Sequence, residues 1–205
     1  MSSKAEEFDL LVREVFAPCY PVVANEIIEK TGISNGLCLD LGCGNGYLGL
    51  AIADATNMEV CLLDNDAEML SICQRNITAR QSNERVRTQL GDVHQIPLPE
   101  QSVQLVVSRG SVFFWEDPIQ AFREIYRVLS PKGIACIGGG FGTVEIKQQI
   151  DRQMEQRDSG WKEHLRERIG PGCTEKYPPI LSEAGIDNFK IDHGPTGLWI
   201  IFGRS

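Results

Sequence analysis

Residues 38–50 read CLDLGCGNGYLGL, and this stretch carries two glycine patterns at once. Gly42, Gly44 and Gly46 alternate as G-x-G-x-G, while Gly44, Gly46 and Gly49 spell G-x-G-x-x-G. A short apolar run, a glycine turn and a helix from about residue 46 mark the first strand–helix step of a parallel sheet, with glycines that let the backbone approach a ligand. In open sheets of this kind ligands sit beyond the carboxyl ends of the strands, where the strand order reverses. The residue that discriminates between the two patterns is Asp40, at the strand end and two positions before Gly42. A dinucleotide would set a doubly negative pyrophosphate against that carboxylate. A cationic ligand would be attracted instead: unit charges about 4 Å apart interact by roughly 4 kcal/mol at an effective dielectric near 20, before desolvation costs. S-adenosylmethionine carries an ammonium and a sulfonium and no phosphate, so the sign of the charge favours it. The competing reading is that Asp40 only caps local backbone N–H groups.

Outward from this stretch, apolar runs alternate with helical patterns. LCLDL, MEVCLLD, VRTQL, QLVVS and GIACIGG read as strands, separated by helices from about 46, from Asp66 to about 80 and from Pro118. The helix at 118 has Asp117 as N-cap and Pro118 at its first position, with Ile119, Phe122, Ile125, Tyr126 and Leu129 as its apolar stripe. Ser130-Pro131-Lys132-Gly133 is expected to turn the chain into the next strand. Upstream, Phe8, Leu11, Val12, Val15 and Phe16 mark an amphipathic helix that stops before Pro18, and a second helix follows Pro21 and ends near Gly32. Residues 144–169 hold two helix-like stretches, and a short helix closes at Gly185. NFKIDHG and GLWIIFG then follow, joined by too few residues for a parallel crossover, so they form an antiparallel hairpin. The expected fold is α/β: a Rossmann-like, seven-stranded, mainly parallel sheet with helices on both faces and an antiparallel C-terminal hairpin. One domain over 1–205 is expected, with an N-terminal helical lid at 1–32, a core at 36–140, a helical cap at 144–180 and a terminal helix and hairpin at 181–205.

Composition narrows the function. The 205 residues carry a net charge of −8, which argues against a sequence-independent grip on nucleic acid or anionic membrane. The charge-rich segment 151–168 is balanced, with five acids and five Lys or Arg. No window reaches transmembrane length, and the start has no signal-like apolar core. The seven cysteines have no C-x-x-C pair and form neither a zinc pattern nor a disulfide framework, so no metal is expected and a cytoplasmic location fits.

Two further acids lie at successive strand ends. Asp64 ends the second strand, where a carboxylate can accept both hydroxyls of an adenosine ribose, a feature shared with dinucleotide sites. Asp92, after the third strand, can accept an adenine amino group, with Val93 as an apolar edge. With these residues in place, the chain resembles the class I S-adenosylmethionine-dependent methyltransferases. The resemblance rests on LDLGCGNGYLG, LLDNDAEML, GDVHQIPLPEQSVQLVVS and AFREIYRVLSPKG, and covers about residues 36–140. It points to the small-molecule branch that includes ubiquinone and menaquinone biosynthesis enzymes, and to short archaeal and bacterial members of unassigned substrate. It implies S-adenosylmethionine as cofactor, S-adenosylhomocysteine as product, and cofactor contacts from Asp40, Gly42, Cys43, Gly44, Asn45, Gly46, Asp64, Asn65, Met69, Asp92, Val93 and Ser108. Tyr20 is expected over the cofactor, as part of the lid.

Methyl transfer is an in-line displacement at an activated sulfonium, so alignment can supply roughly 7–11 kcal/mol of the barrier without a base. No catalytic base is therefore assigned. The substrate side is expected at Arg109, Ser111, Phe114 and Trp115 in SRGSVFFWEDP, and at Trp161 in the cap. Arg109 has two readings, a partner for an anionic substrate or a structural bridge to Asp40 or Glu116. GGGFG at 138–142 lets a substrate approach the backbone or only turns the chain. Cys19, Cys43 and Cys173 are candidates for a soft metalloid acceptor. The absence of an Asn/Asp-Pro-Pro-Tyr/Phe tetrapeptide argues against methylation of DNA or protein glutamine. The expected partner is a small molecule, with neither nucleic acid nor membrane. Two other readings stand beside this one, a non-catalytic module that binds the same cofactor and a dinucleotide-dependent oxidoreductase.

Overall fold

The computed structural model describes residues 3–82 and 84–204; Met1, Ser2, Asn83 and Ser205, and with them the outer ends of the expected 1–32 and 181–205 segments, lie outside it. Seven strands form one sheet in the order β3-β2-β1-β4-β5-β7-β6. They are β1 (Leu37–Leu41), β2 (Glu59–Asp64), β3 (Val86–Leu90), β4 (Val103–Arg109), β5 (Leu129–Gly140), β6 (Phe189–Gly194) and β7 (Gly197–Gly203). Only β7 runs against its neighbours, pairing antiparallel with both β5 and β6. The order reverses between β1 and β4, which pair with Asp40 opposite Val107. Ligands of open α/β sheets bind at such a reversal.

Helices α2 (Cys19–Thr31), α3 (Tyr47–Ala55) and α4 (Ala67–Ala79) cover one face, and α5 (Pro118–Val128) and α8 (Tyr177–Glu183) the other. The period of two along each strand sorts the core. Cys38, Val60, Leu62, Leu105 and Val107 join the first cluster, and Leu39, Cys61, Leu63 and Val106 the second. The same parity puts Asp40, Asp64 and Arg109 on the first face, at the carboxyl edge. Helices α1 (Lys4–Leu11), α6 (Val144–Glu155) and α7 (Trp161–Ile169) lie on that face too; Met154 and Trp161 are buried in its core.

Three local details differ from the sequence reading. A single wide turn, Val12–Phe16, continues α1 to the expected stop before Pro18. Helix α2 starts at Cys19 and carries Pro21 in its first turn, where a missing N–H costs nothing. Ser130-Pro131-Lys132-Gly133 does not precede β5 but bulges within it: Val103 pairs with Leu129 and Leu105 with Ile134.

Gly49 packs the first turn of α3 tightly against β2. A Cβ there would stand 2.3 Å from Leu62 Cδ2 and 3.0 Å from Val60 Cγ1. Gly49→Val should therefore lower the unfolding free energy by about 1–3 kcal/mol, read as a reduced urea midpoint. An unchanged midpoint would contradict this packing.

Candidate active site

The glycine loop is held by three carboxylates. Asp40, 1% exposed, accepts the Gly49 N–H through Oδ2 at 2.9 Å, tying the end of β1 to the first turn of α3. Asp64 Oδ2 accepts the Gly44 N–H at 2.8 Å, and its Oδ1 accepts the Asp66 N–H at 3.0 Å. Asn45 donates from Nδ2 to Asp9 Oδ1 at 2.9 Å, with Asp9 itself buried. The N-terminal helix is thereby tied to the loop. Gly42 has φ 61°, and a Cβ there would stand 2.4 Å from Ser111 Cβ. Its small size thus admits the segment after β4, whose Ser111 hydroxyl donates to the Leu41 carbonyl at 3.1 Å.

Above these residues lies a cavity of about 590 Å³, within the range of small-molecule sites. Its wall follows the carboxyl edge of the sheet. Asp40, Gly42, Cys43, Gly44 and Asn45 come from the β1 loop, Asp64 and Asn65 from the end of β2, Asp92 and Val93 from after β3. Arg109 ends β4 and Ser111, Phe114 and Trp115 follow it, while Tyr20 and Trp161 reach in from the helices. Three expected contacts lie outside this wall. Gly46 caps α3 and faces Leu62 and Cys73. Met69 is engaged through its N–H by Asp66, the cap of α4. Ser108 is fully buried, its hydroxyl 2.5 Å from that of Ser111.

The wall also includes residues the sequence did not single out. Phe8, Phe16, His94, Phe113, Leu165 and Arg168 all line it. Phe8 and Phe16 belonged to an apolar helical stripe, which reads as core. His94 is held at both nitrogens: Nδ1 lies 2.5 Å from Asp92 Oδ1, and Nε2 accepts the Asp117 N–H at 3.2 Å. That pairing fixes the Nδ1–H tautomer and leaves no free ring lone pair for the cavity.

Arg109 bridges neither Asp40 nor Glu116. It donates from Nε to the Gly140 carbonyl at 2.7 Å, and its guanidinium lies 5.0 Å from the Tyr20 ring centre and 5.4 Å from that of Phe141. Trp115 packs edge-on against Phe122, and Trp161 donates from Nε1 to Asp151 at 2.9 Å, so both are wall as much as floor. Gly139 and Gly140 border the cavity, and of Cys19, Cys43 and Cys173 only Cys43 does. Among the described residues no group of three or more His, Cys, Asp or Glu could hold a metal, and no helix is long and apolar enough to cross a membrane.

The electrostatics follow burial. Desolvation pushes the Asp40 carboxyl up to about 7, opposed by the Gly49 N–H. Burial also raises Asp64, against its hydrogen bonds from Gly44 and Asp66. Asp92 moves the other way, lowered by the His94 backbone N–H.

A protein of Methanococcus maripaludis, provisionally named an S-adenosyl-L-methionine-dependent methyltransferase, superposes on the whole chain with a TM-score of 0.95 and 39% identity, covering 97% of its own length. The chain belongs to the S-adenosylmethionine-dependent methyltransferases. The family description "Methyltransferase domain" matches residues 39–137. The chain is 32% identical to 2-methyl-6-phytyl-1,4-hydroquinone methyltransferase 2 of Oryza sativa, over 78% of this chain and 49% of that protein. It is 36% identical to demethylmenaquinone methyltransferase of Lactiplantibacillus plantarum, over 48% of this chain and 42% of that one. The chain thus spans about half the length, or less, of these curated relatives. The cofactor of the family is S-adenosylmethionine, and the loop fits it: a cavity edged by carboxylates at β1, β2 and after β3 suits a cation and an adenosine, and disfavours a pyrophosphate.

Asp40 also makes stability depend on pH. Its folded value near 7 stands above the ordinary 3.8, so the folded state holds the proton more tightly. The contribution is complete below pH 4 and is lost as the pH rises towards 7. Asp40→Asn keeps an acceptor for Gly49 and cannot titrate. From pH 5 to 8 its stability relative to the parent should rise by about 2 kcal/mol, measured by denaturant unfolding. A constant difference would contradict the shifted carboxyl.

Proposed function

We propose that this protein transfers the methyl group of S-adenosylmethionine to a small organic acceptor. The observation that carries the reading is one cavity bordered by two chemistries. Carboxylates surround the glycine loop, and an aromatic wall follows β4 and β5. In this reading Asp64 takes the ribose hydroxyls, and Asp92 with Val93 takes the adenine. Asp40 faces the ammonium of the amino-acid end, and Tyr20 closes over it. Segments 1–32 and 144–180 act as lid and cap on the core at 36–140, all within one domain. The hydroquinone and menaquinone relatives support an acceptor with an apolar ring. Seven free cysteines, most of them buried, support a reducing, cytoplasmic setting.

The chemistry asks little of the side chains. The acceptor's electron pair attacks the methyl carbon in line with the C–S bond, and the bonding pair returns to sulfur, leaving neutral S-adenosylhomocysteine. The protein's share is alignment and exclusion of water, worth roughly 7–11 kcal/mol. His94, tied at both nitrogens, is left to shape the wall.

The test is methyl-labelled S-adenosylmethionine offered with the protein to a metabolite extract. A labelled small molecule is expected. Tight cofactor binding with no labelled product would instead support a non-catalytic module. In the same preparation Asp64→Ala should weaken S-adenosylhomocysteine by more than about tenfold, through loss of charged hydrogen bonds. Unchanged affinity, measured by calorimetry, would remove Asp64 from the cofactor site.

A further inference from the structure

At the strand ends the carboxyl edge passes from acid to base between β1 and β4, and beyond Arg109 the exposed Glu116 is the one acid that borders the cavity among the described residues. Asp92, Asp64 and Asp40 follow or end β3, β2 and β1, three adjacent strands. The next strand, β4, ends in Arg109. Asp40 pairs with Val107, so Arg109 stands two residues, about 7 Å, further along the edge. Beyond it, Arg168 of α7 lies over the rings that follow β4, 4.8 Å from the centre of Phe114 and 6.0 Å from that of Phe113. Phe113 in turn touches the end of β5 at Gly139. Both arginines line the cavity.

Neither pairs with a carboxylate among the described residues. Among the described residues no carboxylate oxygen lies within 4.0 Å of Arg109 or Arg168. Arg109 spends one N–H on Gly140 and has four more, in a planar fork that matches a carboxylate. The faces of Phe16, Tyr20 and Phe141, 5.0–5.7 Å away, hold the cation in position without neutralising it. Tyr20 cannot serve as counter-ion, since burial pushes its hydroxyl up to about 12. An unpaired guanidinium kept half-buried at such a place costs stability, and a ligand anion would offset that cost.

We propose that the acceptor is an anion: an apolar or aromatic molecule whose carboxylate is bound by Arg109 and Arg168. The aromatic rings that border the cavity after β4 and β5 take its body, and the cofactor's ammonium lies on the acidic side. This rests on the methyl-transfer reading above and narrows its substrate class. Arg168 sits in the last turn of α7, away from the loop carboxylates, and serves as a specificity-determining residue rather than a cofactor contact.

The test uses the protein saturated with S-adenosylhomocysteine and two matched probe series, benzoate and 1-naphthoate against benzamide and 1-naphthamide. Melting temperature is read against probe concentration. The carboxylates should raise it and the amides should not, with an apparent affinity difference of at least about tenfold. Arg168→Gln should abolish the preference while the S-adenosylhomocysteine affinity stays the same, and Arg168→Lys should retain part of it. Arg109→Lys, which keeps the charge but loses the fork, should also weaken the carboxylates. Equal stabilisation by both series, or by neither, would overturn the proposal. So would loss of S-adenosylhomocysteine affinity in either arginine variant, which would assign the guanidinium to the cofactor's own carboxylate. Failure of S-adenosylhomocysteine to bind the parent protein would count against the methyl-transfer reading instead.

Discussion

A single buried carboxylate organises the functional end of this molecule. Asp40 accepts the Gly49 N–H at 2.9 Å, and with Asp64 on the Gly44 N–H it fixes the loop between β1 and α3. The carboxyl is taken out of water and repaid by only one hydrogen bond, so its charged form is destabilised and its proton is held to about pH 7. Everything else at the edge is arranged around that charge. Acids continue along β2 and β3, and the first base appears at the next strand on the other side.

Strand order turns this into a spatial sequence. Because β1 stands between β2 and β4, residues far apart in the chain are set side by side at intervals of about 4.8 Å. S-adenosylmethionine has an adenosine end and an amino-acid end with an ammonium, and the acidic stretch has the sign to suit that ammonium and the hydroxyls of the ribose. The aromatic stretch after β4 and β5 borders the rest of the same cavity.

Much of this was legible in the sequence because it depends on local pattern. The alternating runs gave the strands, Asp117-Pro118 gave the start of α5, and the short His193–Thr196 link required a hairpin. Asp40, Asp64 and Asp92 could be read as neighbours because each lies at or just past the carboxyl end of a strand in a parallel sheet. The rest depends on contacts that no spacing encodes. Gly42 was read as room for a ligand, whereas its missing Cβ admits Ser111 from a loop seventy residues away. Phe8 and Phe16 sit on an apolar helical stripe, and such a stripe looks the same whether it meets a core or a cavity. Gly46, Met69 and Ser108 share segments with cavity residues, but their side chains or caps serve the fold. Arg168 was hidden in a segment of balanced charge, where an exposed helix face was the natural reading.

The central claim is that Asp40 meets a cation, and proton release on cofactor binding tests it directly. Calorimetric titration of S-adenosylmethionine at pH 7, in buffers of different ionisation enthalpy, counts the protons released. With the carboxyl near 7 when empty, binding should expel about half a proton more from the parent than from Asp40→Asn. Equal proton counts in the two proteins would mean that the cation does not sit against Asp40, and the account of the loop would fail.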